Sequence, residues 1–326
     1  MMPRGTFEPI KHGMNAKVAW LFPGQGSQVV GMGKLLWEHS SKAREVFERA
    51  DEALGRSISK LCFDGPLAEL TLTVNTQPAL VTTCIATLAA LREELPELPA
   101  PVCVLGHSLG EYSALVAAGA LTLEDAVRLV ELRGRAMQEA VPAGKGGMAA
   151  IIGGDIEQVE ALCATCAEGE VLSCANFNSP GQIVIAGTAS AVARATKLAP
   201  ELKLKAISLA VSAPFHCSLM QPAALAVEEA LRSIHISAPS IPVIANVDAL
   251  PNVEQGRVAQ LLVSQVSSPV RWQQSVSKAR ELGVTAALEV GPGKVLAGLV
   301  KRIEKELRVL GLAEPSHLLE VAQFIA

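Results

Sequence analysis

Apolar residues recur along this chain in two patterns. Short unbroken runs, Lys17-Val-Ala-Trp-Leu-Phe22, Pro101-Val-Cys-Val-Leu105 and Thr285 to Val290, have the length and purity of strands buried on both faces. Longer stretches with apolar positions three and four apart, Lys34 to Leu54, Gln77 to Leu91 and Leu123 to Ala140, predict helices. Gly and Pro mark the joints. Pro23-Gly-Gln-Gly-Ser27 ends the first strand in a Gly-rich turn, and Pro96, Pro99 and Pro101 precede the second. Gly106-His-Ser-Leu-Gly110 then leads into a helix from Glu111 to Ala118, a strand, tight turn, helix succession.

Beyond a flexible Pro142 to Gly147 the pattern changes. Gly147 to Ile152 reads as a strand and Asp155 to Ala167 as a helix. Val171 to Asn176 and Gln182 to Gly187 pair as strands around Asn178-Ser-Pro-Gly181, Ser190 to Leu198 forms a helix and Lys203 to Leu209 a strand. That β-α-β-β-α-β order is ferredoxin-like. The larger pattern resumes with Ser212-Ala-Pro-Phe-His216, helical Met220 to Ile234, a strand Pro242 to Asn246, helices over Val258 to Val266 and Trp272 to Leu282, and amphipathic Val295 to Leu307. The fold class expected is α/β: a large domain with a parallel sheet, a serine nucleophile elbow and a hydrolase-like core, plus an inserted ferredoxin-like subdomain. The divisions are a tail over 1–16, the large unit over 17–141 and 210–313, the small unit over 142–209, and a C-terminal segment over 314–326.

Composition supports this reading. Half of the 326 residues are apolar and only 3% aromatic, which suits helices packed closely on a parallel sheet. A net charge of −4 offers no global field for a polyanion, so nucleic acid is excluded as an expected partner. Met1 to Asn15 lacks the apolar core of a secretion signal, and stretches such as Ala114 to Leu123 are too short to span a bilayer. The seven cysteines have no framework spacing and suit reduced thiols in the cytoplasm, with Cys163 and Cys166 read as packing residues of a helix.

Chemistry centres on Ser108. Its place between Gly106 and Gly110 on a strand-to-helix turn exposes the hydroxyl, and the helix N-terminus behind it, beginning with the Leu109 amide, suits an oxyanion. A serine hydroxyl needs a base. Of six histidines, His216, after the Pro214 break, sits where a loop would face a cleft. In the following helix an arginine could reach the acyl pocket and pair with a substrate carboxylate, and periodicity leaves Arg128, Arg133 and Arg135 open.

Taken together, Phe22-Pro-Gly-Gln-Gly-Ser-Gln28, Gly106-His-Ser-Leu-Gly-Glu-Tyr-Ser-Ala114, Arg133-Gly134, Asn176-Phe-Asn-Ser-Pro-Gly-Gln182, Phe215-His216 and Glu289-Val-Gly-Pro-Gly-Lys294 closely resemble the malonyl-CoA:acyl carrier protein transacylases of fatty-acid and polyketide synthesis. The resemblance runs from about residue 17 to about 307. It implies that Ser108 is the acyl-accepting nucleophile, His216 its base and Arg133 the malonyl carboxylate receptor. It further implies that Gln25 and Leu109 supply oxyanion amides, that the Gln265 carbonyl orients the histidine, and that Phe215 bears on acyl selectivity. The partners implied are malonyl-CoA and holo-acyl carrier protein with its phosphopantetheine thiol; no permanently bound cofactor or metal and no membrane are expected, and the chain is taken as a monomer.

Two rivals stand beside this reading. A serine hydrolase would share the elbow but need an acid before its histidine, for which Asp125 and Asp155 are the candidates, although helix capping suffices for both. A non-catalytic relative would have no need of Ser108, His216, Arg133 and Gln25 together. Carrier proteins are usually acidic, so Lys203, Lys205, Arg271, Lys294, Lys301 and Arg302 form a candidate docking patch near the cleft.

Overall fold

The computed structural model describes residues 16–326, so the tail expected over 1–16 lies outside it but for Ala16. The chain opens with β1 (Val18–Phe22), α1 (Lys34–His39), α2 (Ser41–Leu54), α3 (Ile58–Asp64), α4 (Leu67–Thr71) and α5 (Thr73–Glu94), then β2 (Cys103–Gly106), α6 (Gly110–Ala117) and α7 (Leu123–Glu139). Next come β3 (Gly146–Ile152), α8 (Ile156–Ala167), β4 (Leu172–Ser179), β5 (Gln182–Thr188), α9 (Ala189–Leu198) and β6 (Lys205–Ser208). It closes with α10 (Gln221–Leu231), β7 (Val243–Ile244), β8 (Pro251–Asn252), α11 (Gln255–Ser267), α12 (Trp272–Glu281), β9 (Ala286–Val290), α13 (Val295–Ile303), β10 (Arg308–Leu312) and α14 (Pro315–Ile325).

The main sheet has the order β10-β9-β1-β2-β7-β8 and is parallel except for the β7–β8 pair. Its strands bury both faces, which is why they read as unbroken apolar runs: β9 is buried throughout, between helices on either side. Register matters here. Phe22 pairs with Gly106, so the loop after β1 and the turn after β2 emerge side by side at the C-terminal edge of the sheet.

The second sheet is antiparallel in the order β4-β5-β3-β6, the ferredoxin-like arrangement. One face is covered by α8 and α9, with Cys163 and Cys166 among the core residues there. The other face carries Met148, Ala150 and Val184 toward Phe215 and Cys217 of the large unit. A short bridge joins the two units, Phe177 N donating to Val270 O and Val270 N to Ala175 O, each at 2.9 Å.

Four features differ from the sequence reading. The helix expected over 34–54 is two helices, because Ser40 is extended and its hydroxyl accepts from Ala43 N, capping α2. Helix α5 is longer than 77–91; it is long and apolar enough to cross a bilayer, yet 83% of its most apolar window is buried inside the protein. Its threonines fit that core because Thr82, Thr83 and Thr87 each return their hydroxyl to a carbonyl one turn back at 2.8 Å. Residues 314–326, set apart by sequence, form α14, whose Leu318, Val321 and Ile325 join the main core. Strand β10 beside β9 is likewise absent from the sequence reading.

Candidate active site

The turn between β2 and α6 demands its glycines. A Cβ on Gly106 would lie 1.9 Å from Gly110 C, and one on Gly110 would lie 2.0 Å from Phe22 O. Between them Ser108 adopts φ 49°, a left-handed backbone that costs a residue with a side chain on the order of 1–3 kcal/mol and persists only where neighbours over-determine it. Two side-chain amides do so: Asn246 Oδ1 accepts from Ser108 N at 2.7 Å, and Gln265 Nε2 donates to Ser108 O at 2.9 Å.

His216, buried in the loop before α10, brings Nε2 to 2.7 Å from Ser108 Oγ and Nδ1 to 3.0 Å from the Gln265 carbonyl. A carbonyl only accepts, so Nδ1 carries the proton and Nε2 is free to take one from the serine. Burial, and then the positive charge of Arg133, hold this imidazole down to about 3, leaving it neutral near pH 7. Among the described residues, no carboxylate pairs with His216. Asp125 meets only Thr122 at the start of α7, and Asp155 closes the capping box of α8, so the acids a hydrolase triad would need are occupied elsewhere.

Arg133 settles the choice among three arginines. Arg128 donates to Ala53 O, and Arg135 is exposed beside Glu131, whereas Arg133 is only 1% exposed and points at the serine. Gly134 makes this approach possible, since a Cβ there would lie 2.7 Å from Thr73 O where α7 crosses α5. The guanidinium donates from Nη1 to Gln77 Oε1 at 2.9 Å and from Nη2 to Gln265 Oε1 at 2.9 Å and Ser108 Oγ at 3.2 Å; Nε has no partner. Every acceptor is neutral, and no carboxylate lies within salt-bridge distance among the described residues. Burial lowers its pKa while the nearby Tyr112 ring and, behind Gln265, Glu111 oppose that fall; a guanidinium stays charged, so the pocket holds a cation with no directly paired carboxylate.

These groups line a cavity of about 150 Å³ with Gln25, Leu109, Met137, Met148, Val211 and Phe215. That is room for about five waters, the scale of a short acyl group. Gln25 arrives on the loop after β1, its Nε2 donating to Thr73 Oγ1 at 3.4 Å. Neither its amide nor that of Leu109 has an acceptor within the described residues, which leaves both free to face a ligand. The basic residues are less united: Arg302 reaches Gln182 across the boundary between the units, while Arg271 is turned inward, donating to Val247 O and lying over the Phe177 ring.

The sequence reading did not single out Gln77, Asn246 or Glu111. Gln77 was a polar residue in an apolar helical run and Glu111 stands inside the Gly106 to Ala114 motif, signals that could have been followed; Asn246 gave none, since its partners are far away in sequence.

The family described as acyl transferase domain matches residues 19–322. Over 307 residues the chain is 49% identical to a malonyl CoA-acyl carrier protein transacylase of Bacillus subtilis, covering 93% of this chain and 95% of that protein. The transacylase of the same description from Escherichia coli K12 is 48% identical, with 92% and 97% covered. Among solved structures, the malonyl CoA-acyl carrier protein transacylase of Coxiella burnetii superposes with a TM-score of 0.93 at 41% identity, covering 97% and 99% of the two chains. A malonyl-transacylase in complex with its type II PKS acyl-carrier protein superposes with a TM-score of 0.91 at 42% identity, covering 95% and 100%.

Proposed function

The chain belongs to the acyl transferase domain family, and from that premise we propose that it carries malonyl from coenzyme A to the phosphopantetheine thiol of acyl carrier protein through an ester on Ser108. The observation that carries the malonyl assignment is Arg133: a buried cation with only neutral partners, 3.2 Å from the nucleophile, suits an acyl group bearing its own carboxylate.

Ser108 Oγ attacks the thioester carbonyl while His216 Nε2 takes its proton; the oxyanion meets the free amides of Leu109, at the start of α6, and Gln25, on the loop after β1. Collapse expels the coenzyme A thiolate, which receives the proton from His216. The carrier's thiol then gives its proton to the same nitrogen and attacks the serine ester; as the ester breaks, His216 passes that proton to the departing Oγ, leaving malonyl on the carrier and both Ser108 and the neutral histidine restored. A malonyl carboxylate on Arg133 would also cancel part of the charge that depresses His216, so the correct acyl group strengthens the base. Phe215 is assigned to the wall beside the acyl chain. No step calls for a resident metal or cofactor.

We keep the division into a large unit (17–141, 210–313) and a small unit (142–209), with the carrier entering between them past Lys203, Lys205, Lys294, Lys301 and Arg302. The chain is taken to act as a monomer. Seven free, buried cysteines support a reducing cytoplasm. The test is incubation with malonyl-CoA followed by intact mass measurement and peptide mapping. A malonyl adduct on Ser108 that holo-carrier protein discharges is expected; rapid loss to water, or no adduct, refutes the assignment.

A further inference from the structure

The acyl-transfer steps leave Glu111, one of two buried acids among the described residues, without a task. Glu111 lies one turn beyond Ser108 on α6, 2% exposed, near Leu115, Val243, Ala245 and Val258. Burying a carboxylate there is costly unless its oxygens are well used. They are: Oε2 accepts from Gln265 Nε2 at 2.8 Å and from Asn246 N at 2.9 Å.

Each of those residues continues to the reacting groups. Gln265 Nε2 also donates to Ser108 O, Gln265 Oε1 accepts from Arg133, and the Gln265 carbonyl faces His216 Nδ1. Asn246 Oδ1 accepts from Ser108 N, and Nδ2 donates to Gly106 O at 2.7 Å. One carboxylate oxygen therefore lies a single residue away from the strained turn, the base and the guanidinium. We propose that Glu111 is a positioning residue, acting through Gln265 and Asn246 to hold the nucleophile turn, His216 and Arg133 in one register.

The reason for an acid lies in the amide of Gln265. A carboxylate only accepts, so it holds the NH2 of Gln265 toward itself and Ser108 O and the oxygen toward Arg133. A flipped amide would set oxygen against Glu111 and the serine carbonyl, and NH2 against a cation. An apolar residue at 111 would remove that bias and leave Asn246 N and Gln265 Nε2 short of a buried acceptor. Burial pushes the Glu111 carboxyl up to about 7, and the two donors oppose that rise.

This inference rests on the Ser108 acyl-transfer reading, and the test separates the two. Single-turnover malonylation of Ser108 is followed by quenched intact mass in wild type, Glu111→Ala, Glu111→Gln, Gln265→Ala and the Glu111→Ala/Gln265→Ala double variant. Displacement of positioned groups by about an ångström costs on the order of 100-fold, the loss expected for Glu111→Ala. Glu111→Gln, which keeps an acceptor oxygen, should stay within about tenfold of wild type, a rescue that mere burial of an acid does not require. In the Gln265→Ala background, Glu111→Ala should cost less than about tenfold, because residues acting as a unit are non-additive. If Glu111→Ala does not fold, Glu111→Asp, which retracts the carboxylate, takes its place in the cycle. Losses that multiply in full, or a Glu111→Gln variant as slow as Glu111→Ala, overturn the proposal. A wild type that never malonylates Ser108 overturns the acyl-transfer reading instead.

Discussion

Replacing Arg133 by Ala isolates the term that selects the acyl group. In the wild-type pocket the guanidinium is 1% exposed and donates only to Gln77, Gln265 and Ser108. A malonyl carboxylate would add charge-assisted hydrogen bonds worth about 1.5–3 kcal/mol each in such surroundings. Losing them should cost about 3–4 kcal/mol in the malonyl transition state, and at about 1.4 kcal/mol per tenfold this is 10²- to 10³-fold, roughly, in kcat/KM. An acetyl group has no carboxylate to lose. Its turnover also escapes a buried cation without a counterion, so acetyl kcat/KM should change by less than about tenfold in either direction. The assay is stopped-flow release of coenzyme A thiol from malonyl-CoA and acetyl-CoA under single-turnover conditions. The preference should collapse through the malonyl arm alone. Equal losses for both substrates would mean that Arg133 acts through its 3.2 Å bond to Ser108 Oγ, and the carboxylate assignment would fail.

Other predictions follow from the same site. His216 is held down to about 3 from 6.5, so its contribution to stability is complete above pH 6.5 and is lost as pH falls toward 3. Glu111, pushed up from 4.5 to about 7, works in the opposite sense, its contribution fading as pH rises through that window. The two offset between 4.5 and 6.5, and below 4.5 His216 adds a slope of about 1.4 kcal/mol per pH unit to that of hydrogen-bonded carboxylates such as Glu93 and Glu124; urea titrations of His216→Gln should show a shallower acid limb. Gly110→Ala forces Phe22 O and the nucleophile turn apart, so denaturation should register a loss of about 1–3 kcal/mol and Ser108 acylation should fall with it; unchanged acylation would show that the turn tolerates displacement. Charge reversal at Lys301 and Arg302 should raise KM for carrier protein, and weaken its salt dependence, with little change in KM for malonyl-CoA; equal change for both would remove the docking patch.

How much of this was legible in the sequence depends on the range of the force involved. Strands β1, β2 and β9 were legible because burial on both faces leaves an unbroken apolar run, and the small unit because its turns are marked by Gly and Pro. Strand β10 was hidden: as an edge strand with partly exposed residues it has no such purity, and it exists because β9 offers it a partner. Helix α14 is similar, an amphipathic segment whose role appears only once the core it covers is present. The break at Ser40 was local, yet a cap inside an otherwise helical spacing is outvoted by its neighbours.

The site divides along the same line. Ser108 was legible because a strained turn needs glycine on both sides, which is a local demand. What would make that serine a selective acyl carrier, as proposed, is a set of long-range neutral contacts that no spacing betrays. Gln77, Gln265 and Ser108 surround Arg133 with acceptors that satisfy hydrogen bonds without cancelling charge. Had evolution placed a carboxylate at residue 77, the guanidinium would be neutralised in the resting enzyme and a substrate carboxylate would have to displace it. Because Glu111 stands one amide farther back, behind Gln265, its charge supports the cation without occupying the place proposed for an acyl carboxylate. On the proposed reading, selectivity in this pocket is set by where a negative charge is withheld as much as by where the positive charge sits.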